Sequence, residues 1–63
     1  MKNVAKVFRE RVKERGMTVK GVAERAGISP GALSAMLNER KRIMAMDFIS
    51  LCRVLDLTPD DFN

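Results

Sequence analysis

Between Gly27 and Pro30 the chain ends one helix and starts another within four residues, and that corner constrains the fold more than any other feature. Gly27 has no Cβ to clash with the next carbonyl, so it can take the left-handed conformation that closes a helix. Ser29 then offers its side-chain oxygen to an unpaired amide of the following helix. Pro30 takes the first helical position, where a missing N–H is no loss. Two helices joined this tightly must cross, and crossing demands small residues at the closest approach. Ala23 meets that demand, and a bulky residue there would spoil the crossing. Ile28 follows the turn, while Leu33 and Met36 mark the inner face of the second helix. Any small helical bundle can contain such a corner, so the corner alone speaks for architecture and not for activity.

The remaining segments also read as short helices. Val4, Val7, Phe8 and Val12 recur at helical spacing among Lys, Arg and Glu, which predicts an amphipathic helix over about Asn3 to Arg15, stopped by Gly16. Thr18 is the cap expected for the second helix, whose buried stripe is Val22, Ala23 and Ala26. The third helix runs from Pro30 to about Glu39 with Leu33, Met36 and Leu37 inward, and Ile43 pins the connection after it. Phe48, Leu51, Cys52 and Leu55 predict a fourth helix over roughly Ala45 to Leu55. Thr58, Pro59 and Asp61 supply a cap, a first-turn proline and an acid at the capping-box position for one final turn carrying Phe62. No segment reads as a strand, linker or repeat. The expectation is an all-α fold of five short helices in a single domain over residues 1–63.

Size and composition exclude several classes. A chain of 63 residues makes one small domain with a modest core, too little for a multistep enzyme. Its apolar runs are too short to cross a bilayer and its N-terminal segment lacks a continuous hydrophobic stretch, which points to the cytoplasm of a bacterium, the gene being bacterial or phage-encoded. Cys52 is the only cysteine and histidine is absent, so no internal disulfide can form and a zinc site would lack its usual ligands. No metal or cofactor is expected. Nor is there a nucleophile paired with a base, or a glycine loop to cradle phosphate, so an enzyme is not expected. The net charge of +4 favours a polyanionic partner. Arg40, Lys41 and Arg42 are consecutive, whereas Asp56, Asp60 and Asp61 make the tail acidic, so one end can face phosphate while the other faces away.

Taken together, Arg15-Gly16-Met17-Thr18, the run from Val22 to Ser29, Leu33-Ser34, and the later Leu51, Leu55 and Thr58 to Phe62 series resemble the phage-repressor and Cro-like helix-turn-helix family, often called XRE-type. The likeness extends over nearly the whole chain without a gap. It implies a lambda-repressor-like domain with the helix-turn-helix at helices two and three, double-stranded DNA as partner, helix three in the major groove, and a homodimer reading related half-sites. On the same likeness, Ser29, Pro30, Gly31, Ser34 and Ala35 would face base edges, with Asn38 near the backbone. Arg40, Lys41 and Arg42 would lie against phosphates, together with Lys20.

The chain departs from that family at telling positions. Many relatives carry glutamine where Val19 stands, so here a phosphate would be met by the Val19 amide with Thr18 and Lys20 beside it. Many relatives also pair Arg with Glu at the positions of Val12 and Leu37; two apolar residues can meet there without stranding a charge. None of the base-facing residues is an Arg or Gln, whose bidentate contacts each discriminate by about 1–3 kcal/mol. Direct reading is therefore expected to be shallow. Ser29 and Ser34 could bond to bases or bridging waters, Pro30 and Ala35 could touch thymine methyls, and small side chains would let the helix sit deep in the groove. Lys2, Lys6, Arg9, Lys13 and Arg15 are expected on the wet face of helix one. Met17 and Met36 are expected to fill core, while at least one of Met44 and Met46 is exposed or covered by another subunit. With so little core, pairing of subunits would help, and Leu57, Pro59 and Phe62 are the candidate contacts. The function so implied is a sequence-selective transcriptional regulator, a prophage or mobile-element repressor acting by promoter occlusion. The alternative is a protein-interaction module on the same fold, an antirepressor or antitoxin.

Overall fold

The computed structural model describes residues 2–63. It comprises α1 (Val4–Glu14), α2 (Val19–Ala26), α3 (Pro30–Leu37), α4 (Ala45–Leu55) and a C-terminal 3-10 turn (Pro59–Phe62), with no strand among the described residues. Side-chain caps start the first three helices. Asn3 accepts from the Lys6 amide at 2.9 Å, Thr18 from Gly21 at 3.0 Å and Ser29 from Ala32 at 3.2 Å. Each bond satisfies an amide that the helix itself leaves without a partner. At the corner, Gly27 is left-handed with φ 72°, and the Ile28 amide folds back onto the Ala23 carbonyl at 2.9 Å.

Two elements differ from the sequence expectation. The fifth is a single 3-10 turn, so the described α-helices number four; the Thr58–Asp61 capping box tightens this turn and Phe62 is drawn into the core. Helix α3 stops at Leu37, short of Glu39. There the chain passes through a left-handed Glu39 (φ 60°), which sends the Arg40 and Lys41 amides back to the Ala35 carbonyl at 2.8 and 3.2 Å.

The core follows the apolar stripes. Phe8, Val22, Ala23, Leu33, Leu51 and Leu55 are fully buried, each large one stabilising the fold by about 1.5–3 kcal/mol. Helix α2 packs on both α3 and α4, and α1 lies across α3, α4 and the C-terminal turn. Phe8, Phe48 and Phe62 meet there, with ring centroids 5.2–5.7 Å apart and two of the three pairs edge to face. Val12 and Leu37 both belong to this core, so the apolar pair sits where the family resemblance placed a charged one. Met36 is buried, and Met17, Ile43 and Cys52 pack half-buried against the core. Met44 and Met46 are both exposed, at 58% and 75%. No described helix is long and apolar enough to cross a membrane.

Candidate nucleic-acid interface

Helix α3 presents a smooth edge of small side chains. Its inner residues Leu33, Met36 and Leu37 are buried, which turns Ser29, Pro30 and Gly31 fully outward and leaves Ser34 and Ala35 half-exposed one turn later. Ser29 thus caps the helix, while Pro30, Gly31, Ser34 and Ala35 lie away from its buried stripe. Ser34 is already engaged, its Oγ accepting from Asn38 Nδ2 at 3.4 Å, so Asn38 and Ser34 act as one polar unit. A Cβ built on Gly31 meets no atom within 4 Å, so the outer side of the first turn of α3 is open at that position.

Around this edge lie exposed cations. Lys20 sits in the first turn of α2, and Arg40, Lys41 and Arg42 follow α3 directly. None of these four is in an ion pair among the described residues, so each keeps its full charge for an outside anion. The neighbouring Glu39 would oppose such an anion; Asn3 Nδ2, which donates to its carboxylate at 3.0 Å, fixes the position of that negative charge and does not cancel it. The Val19 side chain packs against the core, so only its backbone is left for an outside contact. The Thr18 oxygen accepts from the Gly21 amide, leaving its O–H proton free to donate.

Two of the expected subunit contacts move inward. Leu57 and Phe62 are 8% and 3% exposed and belong to the protomer's own core, because the terminal turn folds back against α1; only Pro59 of the three is exposed. Beside Pro59, the exposed Ile49 stands at the rim of a shallow apolar groove that Cys52 also lines.

The arginines of α1 have roles that the sequence pattern did not reveal. Arg9 and Arg15 lie on the exposed face as expected, but they also hold the helices together. Arg9 Nη1 donates to the Leu37 carbonyl at the end of α3, and Arg15, the C-cap of α1, pairs with Asp56 at 3.7 Å. Arg11 donates to the carbonyls of Leu55 and Asp56 at 2.8 and 3.1 Å and reaches Asp61 at 3.4 Å. Cations at helix C-termini meet both unpaired carbonyls and the negative end of the dipole. Only tertiary contact brings positions this far apart together, so helical periodicity carries no signal for them.

The two shifted titrating groups lie away from the basic edge. Asp61 is held below the usual carboxylate range chiefly by the Thr58 amide at 2.8 Å, and further by the Thr58 hydroxyl and the charges of Arg11 and Lys2, against the opposing effect of burial. Burial, then the charge of Asp61, pushes the Cys52 thiol up, which suits packing better than reactivity. Among the described residues no cluster of three acidic or thiol side chains could hold a metal ion.

A family model described as helix-turn-helix matches residues 8–62, from the middle of α1 through the C-terminal turn. No curated protein and no solved structure matches the chain.

Proposed function

Because the chain belongs to the helix-turn-helix family, whose XRE-type members are DNA-binding regulators, we propose that it represses transcription by binding operator DNA and covering a promoter, as a homodimer encoded by a prophage or mobile element. The observation that carries this reading is the open outer side of α3 at Gly31 flanked by four cations without ion pairs. In this reading Ser29, Pro30, Gly31, Ser34 and Ala35 face the major groove. Their small size favours selection through close backbone approach, thymine methyls and groove shape over bidentate hydrogen bonds. The Val19 amide, the Thr18 hydroxyl, Lys20, Asn38 and the Arg40 to Arg42 triplet hold phosphates. The subunit contact centres on Pro59 and Ile49, with Leu57 and Phe62 supporting them from beneath.

Binding measured across a salt series, on random duplex and on the DNA upstream of its own coding sequence, tests the proposal. Four neutralised phosphates give a slope of log affinity against log salt of about −3.5 per subunit. The upstream DNA should bind more tightly than random duplex. Absence of binding at low salt would defeat the DNA reading and leave the α3 edge to a protein partner, as in an antirepressor or antitoxin. A protein that stays monomeric at high micromolar concentration would defeat the dimer.

A further inference from the structure

The last carbonyls of a helix need partners from outside it, and at α3 three of the four find them in the chain that follows. Ser34 accepts from the Asn38 amide at 3.0 Å, Met36 from Glu39 at 3.1 Å, and Ala35 from both Arg40 and Lys41. The fourth, Leu37, accepts from the Arg9 guanidinium across from α1. Helix α3 has no basic residue in its own last turn, so Arg9 also supplies the only cation hydrogen-bonded to its C-terminal carbonyls among the described residues. A second tie lies alongside: Asn3, which caps α1, donates to Glu39, and Glu39 is the left-handed residue that aims the following chain. One helix thus grips both the end of α3 and the bend from which the basic triplet departs.

We infer that Arg9 is a positioning residue for DNA binding: by holding the Leu37 carbonyl it sets the angle of α3 and the placement of Arg40 to Arg42, without itself meeting a phosphate. The inference rests on the DNA-binding reading above. Its physical basis is that the triplet's own amides are bonded to Ala35, so the triplet moves with the last turn of α3. That turn is held by the packing of Leu33, Met36 and Leu37 on one side and by Arg9 at its end. Arg9 also shares a small crevice with Val19, Ser34 and Asn38. A guanidinium so close to the proposed phosphate contacts could instead bind phosphate directly, and the two roles leave different traces.

Chemical synthesis of the full chain allows Arg9 to be replaced by citrulline, a neutral side chain of the same length that keeps N–H donors. The comparison is with Arg9→Ala and the unaltered protein, each measured on one duplex over a salt series. Positioning predicts that Arg9→Ala weakens binding about fivefold at every salt concentration with an unchanged slope, and that citrulline restores affinity to within about twofold. A second readout needs no DNA. Amide hydrogen exchange at Glu39, Arg40 and Lys41 should quicken about tenfold in Arg9→Ala, on the scale of one lost charge-assisted bond, while the amides of α2 keep their rates. A slope lowered by about 0.9 in both variants would identify a phosphate contact and overturn the inference. Unchanged exchange at the bend in a folded Arg9→Ala protein would overturn it equally; where Arg9→Ala folds poorly, the citrulline protein alone decides, an unchanged slope with affinity within about twofold of wild type supporting the inference and a slope lowered by about 0.9 overturning it. If the unaltered protein binds no DNA, the functional reading fails, whereas the exchange result still reports on the tie itself.

Discussion

Removing the donors of Arg11 while keeping its aliphatic stem, as in Arg11→Met, isolates a polar latch that joins α1 to the far end of α4. The stem lines the same cleft as Val7 and Leu57, and methionine keeps most of its apolar length. What is lost is the bond to the partly buried Leu55 carbonyl at 2.8 Å, the bond to the exposed Asp56 carbonyl at 3.1 Å, the contact with Asp61 at 3.4 Å, and the exposed ion pair with Glu14 at 3.6 Å. A hydrogen bond from a charged donor contributes about 1.5–3 kcal/mol. The Leu55 bond carries most of this, because water replaces Arg11 readily at Asp56 and exposed ion pairs contribute only about 0–1 kcal/mol. The expected loss is therefore about 2 kcal/mol. A domain this small is stable by only about 3–9 kcal/mol, so thermal unfolding should fall by roughly 10 °C. Urea unfolding followed by circular dichroism measures the change, with an unaltered m-value as the sign that stability alone has moved. Asp61→Asn, which removes the ion pair but leaves the Leu55 bond, should lose less than half as much. A loss under about 0.5 kcal/mol for Arg11→Met would mean that water satisfies Leu55 equally well and that the latch does not hold the two helices.

Other perturbations separate frame from interface. Gly31→Ala should raise stability by about 0.5 kcal/mol, since alanine is the better helix former and its Cβ meets nothing in the free protein; the same change should weaken DNA binding if α3 approaches the groove as closely as proposed. Equal affinity for both proteins would refute that close approach. Ala23→Leu places three extra carbons at a fully buried helix crossing and should destabilise by about 1–3 kcal/mol or more; an unchanged urea midpoint would show that the corner has room to spare. In acid, the sign follows from Asp61: its folded-state carboxyl is held below the ordinary value, so its contribution is complete above the unfolded value near 4 and is lost as pH falls through the lower folded value. Asp61→Asn should therefore flatten part of the stability decline below about pH 4, and identical acid profiles would remove Asp61 as a cause.

Much of the architecture was legible in local signals. Ser29-Pro30 marks the start of α3 and Gly27 the end of α2, because caps, first-turn prolines and left-handed glycines act over a few residues whatever surrounds them. The apolar spacing likewise identified Phe8, Leu33, Leu51 and Leu55 as core. The boundary of α3 was less legible, because its termination runs through a non-glycine left-handed residue, Glu39, that no composition rule marks. At the candidate interface, the residue set on α3 follows from periodicity once the inner face is known. The state of each side chain does not: Ser34 is tied to Asn38, Val19 is drawn into the core, and Glu39 is held by Asn3.

Local chemistry along the chain was thus enough to decide where helices start and which faces they bury, and the motif at residues 8–62 was enough to decide the family. Only the folded arrangement decided how α1 is used. Arg9 and Arg11 stand two residues apart on one basic helix, yet they bond to the C-terminal carbonyls of two different helices, Leu37 of α3 and Leu55 of α4. The same folding took Leu57 and Phe62 from a candidate contact surface into the core. The physical reason is range: caps and hydrophobic stripes are set within one or two turns of chain, whereas the partner of a guanidinium or an aromatic ring is whatever distant backbone the packed helices bring beside it.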